Sequence, residues 1–173
     1  MQQLSAEVSQ NDALQICRMR EADADVVASL FLRVLELVPY YNAAAKAAER
    51  EKYTPRLLRE SVLEDPDCVL LARRSSDVIG YCFSRKDDGL IWLSWFGVHP
   101  KHRENGIGTA LLRGLEDRAH RAGAHKVWCD CRTSNVESRL ALIRNEFQPL
   151  CTVPNHWHGQ DFILWEKLVA SSS

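Results

Sequence analysis

The sequence predicts an α/β (α+β) chain organised around a mixed sheet. Short runs of apolar, β-branched and aromatic residues recur along it, separated by compact turn signals. Longer stretches place apolar residues at helical spacing. Very short gaps between some strand-like runs imply antiparallel hairpins, whereas helices intervene between others, so the layer is mixed.

The elements follow in order. LQICR, residues 14–18, reads as a strand. Val26, Val27, Leu30, Phe31, Val34, Leu35 and Val38 then recur at helical spacing, with Glu21, Asp23 and Asp25 at the favoured positive end of the dipole and Pro39 as a stop. The alanine-rich NAAAKAAERE is helical by composition. Thr54-Pro55 supplies an N-cap and a first-turn proline for another helix. CVLLAR (68–73), VIGYCFS (78–84) and LIWLSWFGV (90–98) are strands joined by Ser75-Ser76-Asp77 and Asp87-Asp88-Gly89 turns. Strict alternation along the last of these puts Trp92 and Trp95 on opposite faces. Ile107, Leu111 and Leu115 form a helical stripe that Gly123 ends. HKVWCDC (125–131) is a strand, Ser134-Asn135-Val136-Glu137 reads as a capping box opening a helix, and strands near 147–153 and 161–168 close the chain.

A chain of 173 residues, 46% hydrophobic and 26% charged, suits one domain, expected over 13–169 with loose tails at 1–12 and 170–173. Its net charge of -1 argues against a nucleic-acid partner. No run reaches the roughly 18 apolar residues of a membrane span. The polar MQQLSAEVSQND start lacks a signal-peptide layout, so a cytoplasmic protein without a membrane partner is expected. Cys17, Cys68, Cys82, Cys129 and Cys131 sit in apolar, strand-like runs and read as free thiols. Cys129-Asp130-Cys131 lacks C-x-x-C spacing, so no metal is expected.

HPKHRENGIGTALL, residues 99–112, carries the chemistry. A helix mouth exposes unpaired N–H groups and a partial positive charge, and glycine lets an anion approach them. Arg103 adds a charge-assisted donor. Walker A requires a lysine after Gly108, and the dinucleotide fingerprint requires glycine where Leu111 stands; both patterns fail. From these residues alone, a phosphate cradle and a plain loop-to-helix turn both stand.

The wider pattern Val98-x-Pro100-x-x-Arg103-x-x-Gly106-Ile107-Gly108-x-Ala110-Leu111-Leu112 resembles the acetyl-CoA motif of the GNAT (general N-acetyltransferase) superfamily. VWCDCRTSN followed by VESRLALIRNEF resembles the family's fifth strand, its asparagine and the next helix, and DFILWEKL resembles its last strand. The resemblance implies a GNAT-like fold, with a six- to seven-stranded central sheet flanked by about four helices and a V-shaped split between the fourth and fifth strands. It implies acetyl-CoA as cofactor and transfer of its acetyl group to a primary amine, on a small molecule or a protein or peptide, by direct attack on the thioester. A module of the same fold that binds acyl-CoA without turnover is the alternative. A homodimer is the commonest assembly for such chains.

By the same resemblance, the Phe96, Gly97 and Val98 backbone pairs with the pantetheine arm, and Arg103, Glu104, Asn105, Gly106, Ile107, Gly108 and Thr109 hold the pyrophosphate. Asn135 meets the cofactor arm near its thioester. The Val98 N–H is the expected oxyanion donor. Asp130, sharing a strand face with Trp128, is the candidate general base; a solvated or salt-bridged aspartate is the plain alternative. The position at which the family often carries an acidic tyrosine is Leu142 here, so no side-chain acid follows from the resemblance. Tyr40 and Tyr41, in the loop expected to border the acceptor, either contribute or pack. His156 and His158 flank Trp157, sharing one side if that run is extended; His158 is a candidate acceptor contact or a surface turn residue.

Overall fold

β1 (Leu14–Arg18) is an edge strand hydrogen-bonded to β2 (Val69–Arg74), and the seven strands of the sheet run in the order β1-β2-β3-β4-β5-β7-β6. The computed structural model describes residues 13–103 and 105–169. The expected tails and Glu104 lie outside the described residues. β3 (Asp77–Asp87), β4 (Leu90–Val98), β5 (Lys126–Arg132), β6 (Gln148–Val153) and β7 (Phe162–Leu168) complete the sheet. Every neighbouring pair is antiparallel except β4 and β5, which run parallel. Among the described residues, five α-helices flank the layer, as the sequence pattern suggests: α1 (Ala24–Leu37), α2 (Ala43–Lys52), α3 (Pro55–Glu64), α4 (Ile107–Arg121) and α5 (Val136–Arg144). Among the described residues, no helix is long and apolar enough to cross a membrane.

Two cores occupy the two faces. On one, α1 and α3 lay Val27, Leu30, Phe31, Val34, Leu35, Leu58 and Val62 against Val69, Leu71, Tyr81 and Phe83. On the other, Ile107, Leu111, Leu112, Leu115 and Ala119 of α4 cover Leu70, Ile79, Cys82, Ile91, Leu93, Val127 and Cys129. The helical spacing seen in the sequence is therefore the spacing of the buried stripe, except at Val26, which lies on the exposed flank of α1. Beneath α4 the guanidinium of Arg118, 1% exposed, is held by Asp65 at 2.6 Å and by the Ser84 hydroxyl. A buried cation needs such partners.

The feature that positions the site is the early end of the β4–β5 ladder. Only Ile91↔Val127, Trp92↔Trp128 and Leu93↔Cys129 pair. At that level β4 carries a bulge: Phe83 faces Trp95 and Ser84 faces Leu93, leaving Ser94 as the extra residue. A bulge bends its strand and sharpens the twist. β5 meanwhile follows β7 from Lys126 to Arg132, and the two strands part into a V. The bulge also reverses the alternation. Leu93 faces the α4 core, Trp95 packs at 5.2 Å on the Phe31 ring of the other core, and Phe96 and Val98 return to the α4 side. This corrects the expectation for Trp92 and Trp95. The extra residue puts both on the α1–α3 face, Trp92 edge-on to Trp128 at 6.5 Å.

The α5 cap differs by one residue from the expected box. Asn135, not Ser134, is the N-cap, its Oδ1 accepting from the Ser138 N–H at 3.0 Å. The cap of α3 is as read, with Thr54 Oγ1 accepting from the Leu57 N–H at 3.3 Å.

Gly97 is fixed by packing. A Cβ built there would lie 2.5 Å from the Tyr81 hydroxyl and 2.6 Å from its Cζ, and Tyr81 is fully buried. Gly97→Ala must displace a ring with nowhere to go. It is expected to lower unfolding free energy by about 1–3 kcal/mol, read as a lower urea midpoint with an unchanged m-value.

Candidate functional site

The V opens into a cleft of about 430 Å³, lined by both arms, the α4 mouth, the α1–α2 loop and the first turns of α5. Its chemistry begins with backbone. His99 donates its N–H to the Ile79 carbonyl at 2.8 Å, on the β3 side. Alternation then turns the Gly97 backbone toward β3, and the N–H and C=O of Phe96 and Val98 toward the gap. No strand meets them there, because β5 has already left. Of the three expected backbone partners, two face the cleft, and Gly97 serves the packing just described.

At the head of the cleft, Gly106 is the N-cap of α4 at φ 70°, and no side chain caps the helix. Ala110 donates to the Gly106 carbonyl, beginning the helical ladder and leaving the N–H groups of the first turn free of it. A Cβ at Gly106 would meet nothing within 4 Å, and one at Gly108 only the Phe96 ring at 3.8 Å. The bare backbone thus borders open space. Arg103 reaches across the mouth, 3.6 Å from Glu137 of α5. Asn105 turns its amide back onto the His102 and Arg103 carbonyls at 3.3 Å, shaping the loop. Ile107 sends its side chain into the core and offers only its N–H. The Thr109 hydroxyl accepts from the buried Asn145 at 3.4 Å. Asn135 spends its Oδ1 on the α5 cap, which leaves its NH₂ for the cleft.

Asp130 lies on the other arm, half-buried, with Trp157 Nε1 donating to its Oδ2 at 3.0 Å. Burial pushes its carboxyl up. The Trp157 N–H, His156 and Arg132 oppose this, and Glu49 reinforces it. Glu49 accepts from Trp95 Nε1 at 3.0 Å, so a second carboxylate stands nearby. Tyr40 and Tyr41 line the cleft, their rings 5.8 Å apart. Burial, then the Glu137 charge, raises the Tyr40 phenol to about 12, and burial likewise lifts Tyr41. Both keep their protons at neutral pH. Leu142 is buried and cannot stand in for an acid.

His158 is not brought to Asp130. Residues 157–159 form a tight turn with His158 at φ 55°, so the run is not extended and the two histidines do not share a side. The side chain of His158 is exposed, and its carbonyl accepts from Asn42 at 3.0 Å. That turn delivers Trp157 instead. The turn runs through left-handed backbone at Asn155, His158 and Gly159, and of these the conformation of His158 leaves no sign in the sequence. Glu49 lies far from Trp95 along the chain, with no local motif to mark it. Arg132 was more legible: it continues the Trp128, Asp130 face by one more alternation.

The split mixed sheet thus sets free strand backbone and an uncapped glycine-rich helix mouth on one arm across from a carboxyl raised by burial on the other. Known proteins share this architecture. A sequence model of the acetyltransferase (GNAT) family matches residues 32–144. An uncharacterized N-acetyltransferase of Methanocaldococcus jannaschii is 31% identical over 104 residues, covering 59% of this chain and 67% of that protein. A mycothiol acetyltransferase of Kineococcus radiotolerans is 36% identical over 95 residues, 51% of this chain but 31% of that protein's length. Among solved structures, the PaiA N-acetyltransferase of Thermoplasma acidophilum in complex with coenzyme A superposes with a TM-score of 0.78 at 16% identity, covering 90% of this chain and 99% of that one. Ard1 of Thermoplasma volcanium does so at 0.74 and 18%, covering 92% and 99%. These structures share the fold. The chain belongs to the GNAT acetyltransferase family.

The raised carboxyl has a consequence for stability. Between the ordinary aspartate value and its own, the folded chain binds more protons at Asp130 than the unfolded chain does. Stability therefore falls as pH rises through that window, and the penalty is fully present above it. Asp130→Asn keeps a carbonyl acceptor for Trp157 and removes the charge. It is expected to melt higher than wild type at neutral pH, with the difference closing as pH drops below the usual aspartate range; paired thermal melts across pH check this.

Proposed function

We propose that this acetyltransferase moves the acetyl group of acetyl-CoA onto a primary amine by direct attack of the amine on the thioester. The observation that carries the reading is the open V, with free backbone and a bare helix mouth on one arm and a half-buried carboxylate on the other. The residues present fit coenzyme A: open space where the Gly106 and Gly108 side chains would be suits a diphosphate, and the Phe96 and Val98 amides suit a peptide-like arm.

In this reading the first-turn N–H groups of α4 and the Arg103 guanidinium hold the diphosphate. Phe96 and Val98 align the pantetheine arm as a strand would, and the Asn135 NH₂ donates to the same arm. Bound acetyl-CoA supplies the activated acyl group. The Val98 N–H donates to the acyl oxygen, where negative charge grows. Asp130 takes the proton that a protonated amine must lose before it can act as a nucleophile. A carboxyl raised by burial suits that task better than one at its ordinary value. Trp157 keeps the carboxylate turned toward the cleft. Tyr40, still protonated at neutral pH, is a hydroxyl in the cleft able to donate.

Thiol release from acetyl-CoA over a panel of primary amines tests the reading; release no faster than hydrolysis with every amine would sink it. Asp130→Asn is expected to lower kcat/KM by about 10²-fold or more, as loss of a general base does. The acid limb of the wild-type pH profile should lie above the ordinary aspartate range of about 3.9. Trp157→Phe removes an interaction that favours the charged form, so that limb should move to higher pH. Arg103→Ala is expected to weaken coenzyme A binding roughly tenfold or more, the size of a lost charge-assisted hydrogen bond, with calorimetry as the check.

A further inference from the structure

Arg132 ends β5 inside the same cleft, and beyond its charge effect on Asp130 the mechanism above gives it no contact with cofactor or acceptor. The side chain is 5% exposed yet lines the cavity. Among the described residues, no carboxylate lies within ion-pair distance of it, although Asp130 stands on the same strand face two positions earlier. The contrast with Arg118 is instructive. That guanidinium, equally buried, has Asp65 at 2.6 Å. A buried charge without a counter-ion is costly.

Arg132 is also rigidly placed. Its Nε donates to Gln160 Oε1 at 2.6 Å, and Gln160 Nε2 donates in turn to the Tyr40 carbonyl at 2.7 Å. The guanidinium carbon sits 3.4 Å from the centre of the Tyr41 ring and 4.8 Å from that of Phe162. The rings engage the faces of the guanidinium, Gln160 takes its Nε–H and the Tyr41 hydroxyl takes a further hydrogen bond, so the remaining edge N–H groups are those that would donate to a planar anion. Tyr41 holds its proton at neutral pH and so supplies no counter-charge.

From this placement we infer that Arg132 is the carboxylate site of the acceptor, and that the amine this enzyme takes is a small amino acid whose own carboxylate pairs with that guanidinium. The inference rests on the acetyl-transfer reading and names its substrate class. Residues two apart on a strand are separated by roughly 6.6–6.8 Å. Asp130 and Arg132 therefore offer neighbouring places for an ammonium and a carboxylate a few bonds apart. The arms of one zwitterion reach both.

The experiment compares amino acids with their own carboxamides, which keep the amine and side chain and lose only the negative charge. With wild-type enzyme and acetyl-CoA, thiol release is expected to favour the acid over its amide by about tenfold or more in kcat/KM, the size of one charge-assisted contact. Arg132→Gln should bring that ratio to near one, and Arg132→Lys to an intermediate value, with coenzyme A affinity by calorimetry within about twofold of wild type. Wild-type turnover that is indifferent to the carboxylate, or better with amides or peptides, overturns the carboxylate site and leaves acetyl transfer standing. Absence of turnover with every amine overturns acetyl transfer and this proposal with it. Should Arg132→Gln fail to fold, as judged by lost coenzyme A binding, the wild-type acid-to-amide ratio still decides.

Discussion

The molecule depends on two parallel strands ceasing to pair after three residues. Backbone N–H and C=O groups away from water must find partners. Here the upper half of β4 has a full set of partners on the β3 side and none toward β5. The single extra residue at Ser94 does two things at once. It bends β4 away from β5, and it reverses which side chains face which core, so that Phe96 and Val98 join the α4 side. A regular strand would close the gap and send Trp95 into the wrong core. The cleft is therefore a property of the ladder's register, not of any one side chain, and the free edge it creates has the spacing and polarity of a peptide.

The two arms of the V carry opposite electrostatics, and each follows from its surroundings. At the head, a helix dipole, unpaired amides and Arg103 make a positive mouth. Along β5, alternation places Trp128, Asp130 and Arg132 on the face toward the α1–α2 loop. Burial raises one of these groups, and the nearby cation partly offsets that rise. At Asp130 the Trp157 N–H, His156 and Arg132 oppose the rise that burial and the Glu49 charge cause. The turn that delivers Trp157 is tied to the α1–α2 loop through Asn42 and through Gln160, so these two loops are coupled to each other and, through Trp157, to Asp130.

Much of this was legible because it is local. The Arg103-to-Thr109 segment is read as a helix mouth from residue types and their order, whereas its phosphate-holding role came only from the wider resemblance. The burial stripes of α1 and α4 follow from helical period, and the Thr54 cap from its neighbours. What stayed hidden was non-local or conformational. The bulge at Ser94 leaves no mark in LIWLSWFGV, so strict alternation misplaced Trp92 relative to Trp95. The α5 cap fell one residue late because Asn135 and Ser134 are both good caps and the tertiary path of the chain chose between them. Trp157 reaches Asp130 from a turn with left-handed backbone at Asn155, His158 and Gly159, a conformation that histidine adopts uncommonly. Glu49 meets Trp95 only after α2 has packed.

One detail explains how an open helix mouth survives in a stable fold. N-cap residues place their side chains over the first turn from an extended backbone conformation. Gly106 is instead at φ 70° and ψ 5°, in the left-handed region. A serine or aspartate there would be strained and would not point its oxygen at the free amides. The mouth is thus kept open by backbone geometry, and capping it by substitution is blocked sterically as well as chemically. A missing cap typically costs helix stability by about 1 kcal/mol. α4 offsets this with the burial of Ile107, Leu111, Leu112, Leu115 and Ala119 along one face and the Arg118 anchor at its far end. Because the stabilising contacts run along the helix flank and its last turns, the first-turn amides carry none of that load and are left to a ligand.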